Sequence, residues 1–315
     1  FTLIIVRDEH FNYEERPTSR GTETVNVTMF DAKKLYRSWT GGGHRIHATN
    51  SPAELNHDLA LLMGKTADDF SDAGPWDGQV QSLQRDLMGF EGWDSLEDLL
   101  FILDQSIDYV ILRNFECIPE AYHLELHGDI DLLTNNYTDM VYITNAKKVF
   151  NKPYRVHHHV TIASEQIPFD FRFVGDNYYD KQWQEDILRR KVRAEGGFWR
   201  PSEQDYFYSL LYHAAIHKKQ IAQDYQERLS QMAADLGLPL NEVSFRNPQT
   251  VQKVLTDFLR KHHYALTEPE DLSVHVNETF ASELNISLKR KLLLKYRKAK
   301  TFLKPLKGLL GRPNL

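Results

Sequence analysis

The sequence predicts a mixed α/β (α+β) protein. A mixed sheet with flanking helices is expected over its middle, a small α/β module before it, and a helical region after it. Three observations predict this. Short runs alternate apolar and polar residues with period two, as half-buried strands do, at 24–30, 127–133 and 166–174. Longer runs place apolar residues at three- and four-residue steps, most clearly Leu96, Leu99, Leu100 and Leu103. Helix-start and helix-stop residues bracket several of these runs, as Ser51-Pro52-Ala53-Glu54 and Gly64 do.

The first expected module covers residues 1–65. Phe1–Val6 reads as a buried strand, 9–20 as a charged loop, and Thr24–Phe30 as a second strand. Asp31 is placed to cap a short helix to Trp39. A triple glycine then leads into a strand at His44–Thr49 and the helix from Ser51 to Met63. Residues 66–100 read as linker and helices, with helices expected at 80–90 and 95–105. Over 101–225 the pattern is a strand at Tyr109–Leu112, the 127–133 strand, a helix at 138–150, strands at 154–163 and 166–174, and helices at 179–190 and 202–219. A turn near Ser164 makes the last two strands antiparallel neighbours. Residues 226–285 read as a helical region, with helices at 220–236 and 248–262, and 286–315 as a tail.

The chemistry is concentrated in His127-Gly128-Asp129-Ile130-Asp131-Leu132-Leu133. Alternation puts Asp129 and Asp131 on one strand face, about 7 Å apart, and Ile130 and Leu132 on the other. Two carboxylates that close repel unless a cation lies between them, and Mg²⁺ held by carboxylates and substrate phosphates is the usual solution. Ile167, Phe169, Phe171 and Phe173 form one face of the 166–174 strand, with Asp170 and Arg172 on the other. If that strand lies beside the first, Asp170 becomes a third carboxylate for the same metal. The plain alternative is that Asp170 pairs with Arg172 or faces water.

Gly128-Asp129-Ile130-Asp131, followed by apolar residues and a third Asp on a later strand, resembles the nucleotidyltransferase superfamily of polymerase-β-like fold. His213-Ala214-Ala215-Ile216-His217 adds a likeness to bacterial nucleotidyltransferase-like proteins with a His-Ala-Ala-x-His helix. The resemblance spans roughly residues 100 to 225. It implies Asp129, Asp131 and Asp170 as catalytic residues holding Mg²⁺ or Mn²⁺, and a nucleotide or nucleotide-activated donor as substrate. That family has a Gly-Gly or Gly-Ser turn upstream of the pair that holds nucleotide phosphates. Here Leu112-Arg113-Asn114-Phe115-Glu116 stands instead, so Arg113, Asn114 and Arg172 are the candidate substrate-binding residues, with His213 and His217 on one helix face. The commoner fate of such a His pair is packing between helices. Lys191, Arg193 and Arg200 are further candidate phosphate contacts, and His157 with His159 a candidate metal pair.

The first module resembles nucleoside-diphosphate kinase. Ile46-His47-Ala48-Thr49-Asn50-Ser51 stands where that family has its active-site His run, with Asp58 in place of a Glu. The resemblance implies a phosphorylated His47 in an active domain, against a relict or structural module in an inactive one.

Composition bounds the rest. Apolar residues make 41% of 315, enough for a packed core rather than a disordered chain. The single cysteine, Cys117, excludes an internal disulfide or a cysteine-based metal site and points to a reducing, cytoplasmic setting. Net charge is −6, but 286–315 holds ten Lys or Arg and no acid, leaving the body at −16. An acidic body is not that of a general nucleic-acid binder. In the tail, Leu288, Leu292, Tyr296, Ala299, Leu303, Leu306 and Leu310 recur at helical steps among the basic residues. That pattern is a basic amphipathic helix suited to an anionic membrane surface, or to docking on the acidic body.

The reading is metal-dependent nucleotidyl or substituted-phosphoryl transfer, to an acceptor such as a surface-polysaccharide or lipid-linked precursor. The rivals are a glycosyltransferase using a sugar nucleotide on its Asp-x-Asp, and a non-catalytic scaffold that keeps the fold.

Overall fold

The structure is a computed structural model that describes residues 2–19, 21–119, 128–152, 154–277, 279, 284 and 286–296. It is α+β, with two compact units, 1–106 and 107–315.

In the first unit, strands β1 (Tyr13–Thr18) and β2 (Gly21–Asn26) form a hairpin, followed by helices α1 (Val27–Trp39), α2 (Pro52–Met63) and α3 (Leu96–Ser106). The Ser51 cap and the left-handed Gly64 stop of α2 are as the sequence predicts. Several other expectations fail. Phe1–Val6 is no buried strand: residues 2–8 lie outside any strand, and Ile4 is 77% and Val6 64% exposed. The charged 9–20 stretch supplies β1 instead. The strand expected at Thr24–Phe30 ends at Asn26, whose side chain accepts from Met29 N at 3.2 Å and starts α1 four residues before Asp31. A local side-chain cap outweighs three alternating positions. Neither His44–Thr49 nor 80–90 forms an element. Val80 and Leu83 are exposed, and an isolated helix with no surface to bury against is marginal in water.

In the second unit, a five-stranded mixed sheet has the order β3 (Tyr109–Ile111), β4 (Ile130–Thr134), β7 (Glu165–Phe173), β6 (His157–Ile162), β5 (Lys147–Lys148). Only β4 and β7 run parallel; the other neighbours are antiparallel. The helix expected at 138–150 is shorter, α4 (Tyr137–Ile143), because the chain turns through a left-handed Asn145 into edge strand β5. The expected β6–β7 hairpin is present, with Ala163 and Ser164 both left-handed at its tip.

Helices α5 (Lys181–Arg189), α6 (Glu203–Ile216), α7 (Gln223–Asp235), α8 (Glu242–Arg246) and α9 (Pro248–His262) complete the unit, with a short hairpin of β8 (Val192–Arg193) and β9 (Trp199–Arg200) between α5 and α6. Helix α6 is buried from Asp205 to Ile216 and is the central helix of this unit. Its wall of Tyr212 packs on Tyr179 and Trp183, which in turn meets Phe258 of α9. Each such aromatic buries about 150–250 Å², so this cluster sets where α6, and the residues at its end, stand against the sheet.

The tail is helical over 288–296, and its stripe beyond Tyr296 lies outside the described residues, as does His127. Arg290 is buried, while Leu288, Leu292 and Tyr296 are exposed. Among the described residues no helix is long and apolar enough to cross a membrane.

Candidate active site

Strands β4 and β7 bring the carboxylates together. Asp131 and Asp170 are direct partners in the parallel register, so they project from the same sheet face, opposite Leu132, Phe169 and Phe171. Asp129 joins them just before β4, after a left-handed Gly128. Ligand atoms of all three lie within 4.8 Å of one another. They open into a cleft of about 420 Å³ that also holds Arg113, Asn114, Arg172, His213 and His217. Every candidate of the second unit in this set is therefore in one place.

Each has a definite partner or lack of one. Arg113, at the end of β3, forms a buried ion pair with Asp131 through one guanidinium nitrogen and leaves Nη1 without a hydrogen bond. Arg172 reaches Asp170 Oδ2 at 3.4 Å and lies over the Tyr178 ring at 4.0 Å, with Nε unpartnered. Asp170 thus both lies with the other two carboxylates and pairs with Arg172. Asn114 adopts the left-handed conformation (φ 59°) that a glycine would take in this turn, and its Oδ1 accepts from Arg228 Nη1 at 2.9 Å. It shapes the turn rather than presenting a free side chain.

Electrostatics follow from crowding three acids in a partly dry site. Burial pushes Asp131 up to about 7; Arg113 pulls against this, and Asp129 and Asp170 push further up. Burial and the charge of Asp170 also raise Asp129. The opposite wall is cationic and neutral. His213 and His217, each 4% exposed, are driven well below the usual imidazole value by burial, Arg113 and Arg172 adding to it. Both rings are neutral at pH 7. His213 hydrogen-bonds the Tyr178 hydroxyl through Nδ1, and its Nε2 and both nitrogens of His217 have no hydrogen-bond partner. Lys218 and Lys219 follow on the rim.

Other candidates fall elsewhere. Lys191 pairs with Asp108 and Arg200 with Glu203, and none of Lys191, Arg193 and Arg200 lines the cleft. Their hairpin between α5 and α6 turns them to other work. Of the two expected metal histidines, His157 lines the cleft and His159 does not, because His159 pairs across the sheet with Pro168, farther toward the hairpin tip. His47 belongs to the first unit, 61% exposed, with Nε2 3.5 Å from Glu54 Oε1 and 3.6 Å from Asp58 Oδ2.

Sequence reasoning missed His157 as a member of this site, although the hairpin gives it away. Ala163 and Ser164 form the tip, and residues equally far from the tip face each other, which pairs His157 with Asp170. Tyr178 and Asp271 carried no local signal. A more open depression of about 600 Å³ among Tyr154, Glu268 and Lys289 contains none of the three carboxylates.

Compared with family models, curated proteins and solved structures, the chain finds no match.

Proposed function

We propose that the protein is a metal-dependent transferase of nucleotidyltransferase type, moving a nucleotidyl or substituted phosphoryl group. The observation that carries this is the meeting of Asp129, Asp131 and Asp170 opposite Arg113 and Arg172. In-line displacement at phosphorus asks the protein mainly for positioning and charge neutralisation. Asp131 and Asp129, raised first by burial and then by neighbouring acids, beside guanidinium nitrogens with no partner, suit a divalent cation and a phosphate together.

Asp129, Asp131 and Asp170 hold Mg²⁺ or Mn²⁺, which neutralises phosphate charge and polarises the phosphorus. Arg113 Nη1 and Arg172 Nε donate to phosphate oxygens, replacing the glycine turn as the phosphate holder. Asp170, paired with Arg172, accepts the proton of the attacking hydroxyl. His213 Nε2 and His217 supply neutral hydrogen-bonding positions to the rest of the donor. The third carboxylate on a neighbouring strand supports this reading over Asp-x-Asp glycosyl transfer, which has no use for it. The exposed Leu288, Leu292 and Tyr296 beside Lys289, Lys291 and Lys295 support peripheral attachment to an anionic membrane from the cytoplasmic side, and with it a lipid-linked or surface-polysaccharide acceptor.

A thermal-shift screen of nucleotides and sugar nucleotides, with and without Mg²⁺ or Mn²⁺, tests the reading. A nucleotide stabilisation that needs the metal and is lost in Asp131→Asn supports it; metal-independent binding, or none, overturns it.

A further inference from the structure

We propose that Tyr178 fixes His213 as the Nε2–H tautomer, and that this N–H joins Arg113 and Arg172 as a third hydrogen-bond donor to the phosphate oxygens of the substrate. This rests on the phosphoryl-transfer reading of the cleft and adds to it what the His213 position recognises.

Tyr178, between β7 and α5, is where four groups of the cleft wall meet. Its hydroxyl hydrogen-bonds His213 Nδ1. Its ring has the Arg172 guanidinium at 4.0 Å, the His217 ring at 4.1 Å and the Arg113 guanidinium at 5.8 Å. Tyr178 is 2% exposed, and among the described residues His213 Nδ1 is the sole hydrogen-bond partner of its hydroxyl. A hydroxyl with one partner can donate to it or accept from it. If Nδ1–H donated, the buried Tyr178 proton would be left without an acceptor, which is costly. The hydroxyl therefore donates and Nδ1 accepts. Burial first, then the charges of Arg113 and Lys218, keep the imidazole neutral, so Nδ1 has the lone pair this needs. The bond made by one ring nitrogen sets the state of the other, and the ring proton is on Nε2.

His213 Nε2 has no partner in the protein, and neither has Arg113 Nη1 or Arg172 Nε. The three side chains are 4%, 6% and 3% exposed, come from α6, the end of β3 and β7, and all line the cleft. Buried N–H groups left unmet are costly, and an anion with several oxygens meets all three at once. The cation site beside them selects a phosphate, which can bind a metal ion and protein donors together. The same three acids oppose an anion until the cation is bound, so phosphate should follow metal. His217 differs: both its nitrogens lack a partner, and nothing sets its tautomer.

The test uses the full chain with ¹⁵N-labelled histidine, and inorganic pyrophosphate with saturating Mg²⁺ as the probe. Long-range proton–nitrogen spectra at about pH 8, with His213 assigned by its loss in His213→Gln, should show Nε2 protonated and Nδ1 bare. Pyrophosphate should then move the Nε2 signal. By calorimetry, His213→Leu should weaken pyrophosphate by about 10–100-fold, and His213→Gln, whose amide nitrogen can stand in for Nε2–H, should recover most of the loss. Tyr178→Phe keeps the ring and should lose about 3–10-fold while mixing the tautomers. Each variant should leave Mg²⁺ affinity within about 3-fold, since no carboxylate is altered. A parent with Nδ1 protonated, or unchanged pyrophosphate binding in His213→Leu, overturns the proposal and leaves the three-carboxylate reading standing. A parent that binds a nucleotide with metal but no pyrophosphate does the same, and one that binds neither overturns both. If His213→Leu does not fold, the tautomer in the parent and the response of Tyr178→Phe decide.

Discussion

Asp131 and Asp170 stand side by side on two parallel strands, although a helix, an edge strand and a hairpin separate them in the chain. Arg113 and Arg172 each take one of these carboxylates and neither neutralises the group, since Asp129 adds a third charge within 4.8 Å. The site is therefore under electrostatic load when no cation is bound, and the first two predictions follow from that load.

Asp129→Asn removes one of three repelling charges from the least buried position. At about pH 8, above the value of about 7 to which Asp131 is raised, the metal-free variant should be more stable by on the order of 1 kcal/mol. It should also lose most of the stabilisation that Mg²⁺ or Mn²⁺ gives the parent. Thermal melts with and without metal check both halves; a variant that still responds as the parent does would place the cation elsewhere.

The pH dependence has a definite sign. Asp131 is raised from 3.8 to about 7 and Asp129 is raised too, so the folded protein holds protons that the unfolded chain has released. Their contribution to stability should fall as pH rises from about 4 to about 7 and then level off. Metal must displace those protons, so its affinity should climb over the same range. Titrations at about pH 5.5 and about pH 8 should show tighter binding at the higher value, and metal should stabilise more there. Affinity that is flat across this interval counts against a metal bound by these acids.

Arg290→Ala should destabilise the second unit by roughly 2–4 kcal/mol. Its buried guanidinium serves the carbonyls of Pro269, Asp271 and Val274 and pairs with Glu268 Oε1 at 2.9 Å, and all of these lose their donor together. Arg290→Lys should recover little, because one ammonium cannot span the fork of acceptors. Chemical denaturation measures the loss.

Membrane attachment should depend on the exposed side of the tail and not on Arg290. Cutting the chain after Tyr296, combined with Leu288→Ser and Leu292→Ser, should abolish binding to anionic vesicles while the body stays folded. Each basic residue near an anionic surface is worth about 1 kcal/mol, so binding by the parent should weaken with salt. Cutting after Leu284 instead should harm the fold, since Ile286 and Arg290 are buried. Sedimentation with vesicles separates the two; unchanged binding by the first variant would remove the support for a membrane-borne acceptor.

Period-two alternation determined by itself which faces Asp131, Asp170 and Arg172 occupy, because side-chain direction in a strand is set one residue at a time. The cap at Ser51 and the stop at Gly64 were equally local, as was the hairpin tip at Ala163 and Ser164, from which the pairing of His157 with Asp170 could have been counted. The adjacency of β4 and β7, the seating of Arg113 on Asp131 and the placing of Asp271 behind His157 were decided by the tertiary structure alone. So was the failure of 80–90 to form a helix despite its apolar spacing. Those outcomes depend on sheet order and on what surface is available to bury. Both are properties of contacts between distant segments, to which no local pattern of residues is bound.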